Sequence, residues 1–387
     1  MNSPLRPLRR KFRAWRKCRR LEKEGLRYRE LFLEKGLALP GEREIRAAVA
    51  RRFPGLRARA KGGLNILAIY HNYNWEGPSL GPSLAAFGSV RTLDWRDPSL
   101  AEGYDPDERG WKGKMNEGLL RTAFECAAGR PFDAVFTYLS GEQVTPQAIA
   151  GLRKLGAPIV NLALNDKECF VGKISGGQAT GARDICSGFD LCWTSTIDAL
   201  EKYAVEGANP LYLPEGANPA VHRPYDDEKK VYDVSFVGQR YGNRPEIVSK
   251  LRDAGVKVEV FGPGWPNGPL STEEMVRTWS RSRINLGFGG VQGLKETFCL
   301  KGRDFEVPMS GGLYLTEHHD ELAPFYDIGA EIVTYTDFDN LLGKIKWLLA
   351  NPQEAEAIRL AGRRRALGEH TWEMRLEKVF RLLGVLA

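Results

Sequence analysis

The chain lacks most of what would let a small protein hold itself together by special means. Its six cysteines, at 18, 126, 169, 186, 192 and 299, form no C-x-x-C pair and no zinc-finger or haem spacing. A disulfide framework and a thiolate metal site are therefore both disfavoured, and a reducing compartment fits best. Histidine is sparse, at five residues in 387, so few imidazoles are open to acid–base work. No run approaches the roughly 18 to 20 apolar residues of a membrane span, and the N-terminus lacks the apolar core of a secretory signal. The body is expected in the cytoplasm. Acid is missing from the first twenty residues, which hold nine Lys or Arg and no Asp or Glu.

That last absence explains the charge. Residues 1–60 carry 19 Lys or Arg against 6 Asp or Glu, whereas the remainder carries 37 against 43, so the formal charge of +7 belongs to the N-terminal segment alone. Within it Leu5, Leu8, Phe12 and Trp15 recur at helical spacing, and residues 1–20 read as a basic amphipathic helix. Such a helix can lie on an anionic membrane surface, which would make the protein peripheral on the inner face. It can also bind nucleic acid, the least favoured partner and one not expected here, or dock on the body of the protein.

From Leu64 the pattern becomes alternating strand and helix. "LNILAIY" (64–70), "SVRTLDW" (89–95), "DAVFTYLS" (133–140), "APIVNLAL" (157–164) and "FDLCWTS" (189–195) read as buried parallel strands, with "TPQAIAGLRKLG" (145–156) as one of the helices between them. A polar, proline-containing stretch at 218–230 reads as a linker. The alternation restarts with "DVSFVG", "RPEIVSKLRDAG", "VKVEVFG", "STEEMVRTWSRS", which opens as a capping box, and "RINLGF". These patterns predict an α/β chain of two tandem Rossmann-like domains. The expected divisions are a basic helical extension over 1–60, domains over 61–220 and 231–370, and a terminal helix over 371–387 with Trp372, Leu376, Val379 and Phe380 on one face.

In open parallel sheets ligands sit beyond the carboxyl ends of the strands. "RINLGF" leads into "GGVQG" and then "LKETFCLKGRDFEV", which predicts strand, glycine turn and helix, with an anion site at the helix start. Arg303 and Glu306 share a face of that helix. A guanidinium suits phosphate and a carboxylate suits a ribose diol, so the pair suits a nucleotide.

The motifs "SFVGQRYGNR", "VFGPGW", "KGRDFEVPMSGGLYLTE", the run from "GAEIVTYTDFDN" to "HTWEMRL", and the earlier "LYLPEGANPAVHRPY" occur in an order that resembles the GT-B glycosyltransferases. The resemblance covers about residues 64–385 and is closest to the spore-maturation (CgeB-like) group, related to the large retaining family 4. It implies two Rossmann-like domains facing across a cleft, with a nucleotide sugar in the C-terminal one and an acceptor in the N-terminal one. Carried over by position, Gly238, Arg240 and Arg244 would meet the diphosphate, Gly262 to Trp265 would edge the base pocket, and Glu306 would hold the ribose. Two positions depart from family 4: Pro245 stands where a Lys is usual, and Phe298 where a Glu is usual.

A leaving nucleoside diphosphate is stabilised without a metal by Arg, Lys and a helix N-terminus, all of which the sequence offers. No metal and no cofactor beyond the sugar nucleotide is expected. Asp105-Pro-Asp107 and Asp337-Phe-Asp339 read as loop and cap residues rather than a metal site. An inverting enzyme needs a base to take the acceptor proton. His71, directly after the first strand, is the best placed, with Glu76 and Asp166 as further acceptor-side candidates. The expected activity is hexosyl transfer to a hydroxyl on a glycan, a lipid-linked glycan or a protein. A sugar-nucleotide epimerase of the same fold and a non-catalytic, membrane-targeted binding protein are the alternatives.

Overall fold

The computed structural model describes residues 6–291, 294 and 297–387, and for residues 6–11 and 13 the backbone alone. The chain divides into two compact units, residues 21–214 with 375–387, and residues 1–20 with 215–374. They are called the N-terminal and C-terminal units below.

Two helices precede the first strand, α1 (Arg6–Glu34) and α2 (Glu42–Arg52). The N-terminal unit is built on β1 (Leu64–Ile69), α3 (Gly81–Ala85), β2 (Gly88–Leu93), α4 (Trp111–Gly129), β3 (Ala134–Thr137), α5 (Pro146–Leu152), β4 (Ile159–Ala163) and α6 (Asp166–Cys169). It continues through a short hairpin of β5 (Ile174–Ser175) and β6 (Gln178–Ala179), then β7 (Leu191–Thr194), α7 (Leu200–Val205) and β8 (Pro210–Tyr212). Six parallel strands are ordered β2-β1-β3-β4-β7-β8. All six residues of β1 are buried, which is why a central parallel strand reads as an unbroken apolar run.

Residues 21–60 are not an extension outside this unit. Tyr28 and Phe32, four apart on α1, are buried with Phe170 and Tyr203 in its core. Glu24 accepts from Lys202 Nζ at 2.8 Å, and Ile45 and Val49 of α2 are buried. Apolar groups at helical spacing have to be covered, and this sheet's flank covers them. The basic stripe is only partly visible. Phe12 and Trp15 stack at 5.8 Å and are 58% and 56% exposed, while Leu5 and the Leu8 side chain lie outside the described residues.

The C-terminal unit contains β9 (Tyr232–Val237), α8 (Arg244–Asp253), β10 (Val258–Phe261), α9 (Thr272–Arg281), β11 (Ser282–Leu286), α10 (Gly302–Met309), β12 (Tyr314–Glu317), β13 (Val333–Tyr335), α11 (Phe338–Ala350) and α12 (Pro352–Glu369). Five parallel strands are ordered β10-β9-β11-β12-β13. Ser271 caps α9 by accepting from the Glu274 N–H, as the capping-box pattern requires. The stretch 218–230 is part of this unit rather than a free linker. His222 is buried, and Glu228 accepts from Arg277 and Arg281 at 2.9 and 2.8 Å. A last helix, α13 (Trp372–Leu382), begins in this unit, and residues from Arg375 on belong to the N-terminal unit. There Phe380 packs edge-on to Phe87 at 5.1 Å, and the Arg59 N–H donates to Val385 O.

The helix expected to follow the glycine turn at 289–293 does not start there. Val291 N–H donates to Thr297 O and Cys299 N–H to Gly289 O, so the segment folds back on itself. Phe298 stacks on His319 at 5.8 Å. Those N–H groups are spent within the loop, and α10 begins only at Gly302. Gln292, Gly293, Lys295 and Glu296 lie outside the described residues.

Candidate functional site

In the C-terminal unit the sheet order reverses between β9 and β11, where open α/β sheets bind ligands. The loops leaving β9 and β10 meet there backbone to backbone. Gly238 N–H donates to Phe261 O and Arg240 N–H to Pro263 O, both at 2.9 Å, and the Trp265 indole donates to Gly238 O at 2.9 Å. Gly262 has φ 121°, and a Cβ there would lie 2.4 Å from Gly238 O, so only glycine permits this approach. A Cβ at Gly238 would come within 2.7 Å of Phe236 Cζ and 3.2 Å of Arg303 Nη1.

The start of α10 answers what the charges of "LKGRDFEV" do. Asp304 is fully buried, accepting from the Lys301 N–H at 2.6 Å and the Tyr314 hydroxyl at 2.7 Å. It caps the helix and ties it to β12. Arg303 and Glu306 are left facing elsewhere. Arg303 lies over the Phe236 ring at 5.5 Å, its Nε is buried, and among the described residues the guanidinium has no hydrogen-bond or ion-pair partner. Behind it sits Arg244, buried, with its charge disfavoured first by burial and then by Arg303, which lowers its pKa to about 10. Two neighbouring guanidinium groups repel each other, and although Asp304, Glu306 and Glu215 act on Arg303 at a distance, none pairs with it, so this corner suits an anion.

Beside them a second cluster forms. A Cβ on Gly302 would lie 2.8 Å from Glu215 Oε2 and 3.2 Å from Glu306 Oε1, so both carboxyls crowd the first residue of α10. Burial raises the Glu306 pKa to about 7 against the pull of Arg303. Burial and then the Glu306 charge raise Glu215 to about 8. His222 Nδ1 accepts from the Asn218 N–H at 3.1 Å, which leaves the proton on Nε2, 3.7 Å from Glu306 Oε1. Burial lowers the His222 pKa to about 4, so this imidazole is neutral. Near neutral pH these carboxyls therefore retain protons that exposed acids would have lost, so they can donate as well as accept.

In the N-terminal unit the order reverses between β1 and β3, and the loops after these strands and after β4 enclose a cavity of about 440 Å³. Glu76 and Asp166 line it. His71 does not, but its neighbours Tyr73 and Trp95 do. His71 Nδ1 lies 2.9 Å from both Asp94 carboxylate oxygens, and the ring is packed edge-on by Tyr73 at 4.5 Å and Trp95 at 5.6 Å. Asp94 thereby fixes Nδ1 as the donor and leaves Nε2 to accept a proton.

The predicted residues thus fall into distinct roles. Gly238, Gly262, Arg240 and Arg303 come together at the loop ends of one unit, with Arg240 exposed and its guanidinium 5.6 Å above the Trp265 ring. Arg244 and Trp265 do not present themselves to a ligand as expected. Arg244 donates to Gln239 O and the Tyr241 hydroxyl, both at 2.9 Å, and buried Trp265 braces Gly238. Asp166 is tied into the core, its Oδ2 accepting from Thr194 and Tyr203 at 2.7 and 2.8 Å, and burial raises its pKa and so favours the neutral acid. Buried Glu76 accepts from the Asn74 N–H at 3.0 Å. Asp337 caps α11 and Asp107 accepts from Arg96 at 2.7 Å. No group of three or more His, Cys, Asp or Glu among the described residues is arranged to hold a metal ion. Sequence reasoning missed Glu215, His222 and Asp94. Glu215 stands in the quoted "LPEGANP", but nothing local marks it as the neighbour of Glu306.

Residues 244–381 match the family model described as "Glycosyl transferase-like". Among curated proteins none matches the chain. Several solved structures are similar. Sucrose-phosphate synthase of Thermosynechococcus elongatus is 12% identical, with 83% of this chain and 99% of that one covered at a TM-score of 0.59. A glycosyltransferase of Rickettsia africae is 10% identical, with 83% and 97% covered at 0.58. Anabaena HepE, in complex with UDP and glucose, is 9% identical, with 82% and 100% covered at 0.53. At such identities the likeness concerns the fold, which is of the GT-B class with two Rossmann-like units. No helix among the described residues is long and apolar enough to cross a membrane.

Proposed function

We propose that the chain is a glycosyltransferase that moves a hexose from a nucleoside diphosphate sugar, bound at the loop ends of the C-terminal unit, to a hydroxyl of an acceptor bound in the N-terminal unit. The observation that carries this reading is the unpartnered guanidinium of Arg303 beside the Gly238 and Gly262 loops, with Arg244 behind it. A diphosphate supplies the hydrogen-bonding anion that Arg303 lacks. Arg303 and exposed Arg240 then stabilise the negative charge that grows on the leaving diphosphate, with no metal ion and no cofactor. Glu306, with Glu215 beside it, suits the ribose hydroxyls because together they donate and accept.

At the acceptor, His71 Nε2 takes the hydroxyl proton as the oxygen bonds to the anomeric carbon and the bond to the diphosphate breaks, with Asp94 supporting the imidazolium. The order of the motifs supports reading the chain as nearest the spore-maturation (CgeB-like) group, related to family 4. UDP is the first nucleotide to test, since HepE was crystallised with it. Phe12 and Trp15, exposed on a strongly basic helix, suit a peripheral contact with an anionic membrane.

The test is calorimetric titration of UDP, GDP, ADP and NAD into the wild type and Arg303→Met. One nucleoside diphosphate should bind, NAD should not, and loss of the charged contact should weaken affinity roughly 10- to 150-fold. Wild-type binding to none of the diphosphates would overturn the reading.

A further inference from the structure

Four aromatic side chains, Tyr73, Trp75, Trp95 and Tyr138, line the cavity of the N-terminal unit, and the rings of Trp75 and Tyr138 lie 6.1 Å apart with their planes tilted by 47°. Neutral amide and hydroxyl groups sit between them, Asn74, Ser140, Gln143 and Asn165 among them. Thr180 and three carboxyl residues, Glu76, Asp166 and exposed Glu142, also line the cavity, and no lysine, arginine or histidine does. The two units thus differ in kind. The loops of one gather guanidinium groups, and the cavity of the other is lined by acids with no cation in its wall.

We infer that this cavity receives a neutral saccharide, seated with the C–H face of a pyranose ring on Trp75 and Tyr138, and that it rejects acceptors whose reacting end carries phosphate or carboxylate. The inference rests on the transferase reading for its chemistry, but the cavity's lining supports it independently. A sugar ring has an apolar face of C–H groups with slight positive character, which complements the negative face of an aromatic quadrupole. Its hydroxyls project around the edge, where each needs a donor and an acceptor. The amide and hydroxyl side chains provide both, and the carboxyls accept.

An anionic group would instead be brought beside Glu76 and Glu142 with no cation in the cavity wall to pair with it, and like charges in a partly desolvated pocket repel. A purely apolar ligand would bury the amides and acids without partners. The volume of about 440 Å³ lies in the range of small-ligand sites. A neutral glycan carried on a lipid remains compatible, provided its sugar end enters. A polyprenyl phosphate presenting its phosphate does not.

Saturation-transfer NMR on the full-length chain tests this, with the methyl glycosides of glucose, galactose and N-acetylglucosamine as neutral probes, and glucose 6-phosphate and farnesyl phosphate as anionic ones. At least one neutral glycoside should bind through its C–H face protons, and neither phosphate should bind through this cavity. Trp75→Ala should weaken the glycoside about 2- to 12-fold, the range expected for losing one aromatic contact, and Trp75→Phe should restore most of the affinity. UDP titrated into the same samples reports the donor site separately, so failure of the donor reading is visible on its own. Three results would overturn the inference: phosphates bound as tightly as glycosides, a Trp75→Ala affinity equal to wild type, or no glycoside bound by a chain that binds UDP.

Discussion

Replacing Glu306 by Gln should stabilise the ligand-free protein, and only at high pH. In the unfolded chain both Glu306 and Glu215 ionise near the ordinary 4.5, whereas in the folded chain they hold their protons to about 7 and about 8. Raised values mean that the folded state binds more protons between these limits. Stability due to the neutral pair is therefore complete below the ordinary value and is lost as pH rises through 7 to 8. The Glu306 displacement of roughly 2.5 pH units corresponds to about 3 kcal/mol at 1.36 kcal/mol per unit. The cost for Glu215 overlaps with it, because part of the Glu215 shift is repulsion from Glu306.

Glutamine imitates the protonated acid in shape and cannot ionise. For a body of about 150 to 250 residues, ~1 kcal/mol moves a melting temperature by about 2 to 4 °C. Scanning calorimetry of wild type and Glu306→Gln without nucleotide should show transitions within about 2 °C of one another at pH 5. At pH 9 the variant's C-terminal unit should melt higher by about 6 to 12 °C. An offset independent of pH, or a variant less stable than wild type at pH 9, would refute the assignment of a strained, proton-holding pair.

His71→Asn should abolish turnover while leaving nucleotide affinity unchanged, and Asp94→Asn should lower kcat about 10- to 100-fold with KM little altered, since it acts on the base and not on binding. Equal kinetics in both variants and wild type would remove His71 from the reaction. Phe12→Ser with Trp15→Ser should lose salt-sensitive binding to phosphatidylserine vesicles without a change in melting temperature, as both side chains are exposed. Undiminished vesicle binding would show that the helix face is not the contact.

Much of this arrangement could be read from the residues because it is local. A buried central strand such as β1 must be apolar throughout, and Ser271 announces the helix it caps three residues before Glu274. The aromatic and apolar positions Trp372, Leu376, Val379 and Phe380 are all buried, as their spacing implies. What escaped depended on partners far along the chain. "GGVQG" resembles the turn before a helix, but the Val291 and Cys299 N–H groups pair across the loop, the Gly290 N–H donates to Glu317, and Phe298 is drawn to His319. Arg244 and Arg240 sit in one loop, yet Phe236 and Phe288 make one position a burial site, with their rings 5.2 and 5.5 Å from the Arg244 guanidinium, while the other stays outside. The basic composition of residues 1–60 concealed that Tyr28 and Phe32 make the second half of α1 part of a core. The raised pKa of Glu215 comes from burial and then from Glu306, neither of which a local motif reveals.

The loops leaving β9 and β10 are pinned to each other by main-chain hydrogen bonds and by the Trp265 indole, with no side chain at Gly238 or Gly262 to hold them apart. They should consequently move as one stiff surface instead of as two independent flaps. A nucleotide meeting such a surface has little chain to order, so association should be a single fast phase and the loss of conformational entropy on capture should be small. A Gly262→Ala substitution would wedge that surface open at its root. Its signature would be a slower, multiphasic association while Arg303 and Glu306 keep their identities.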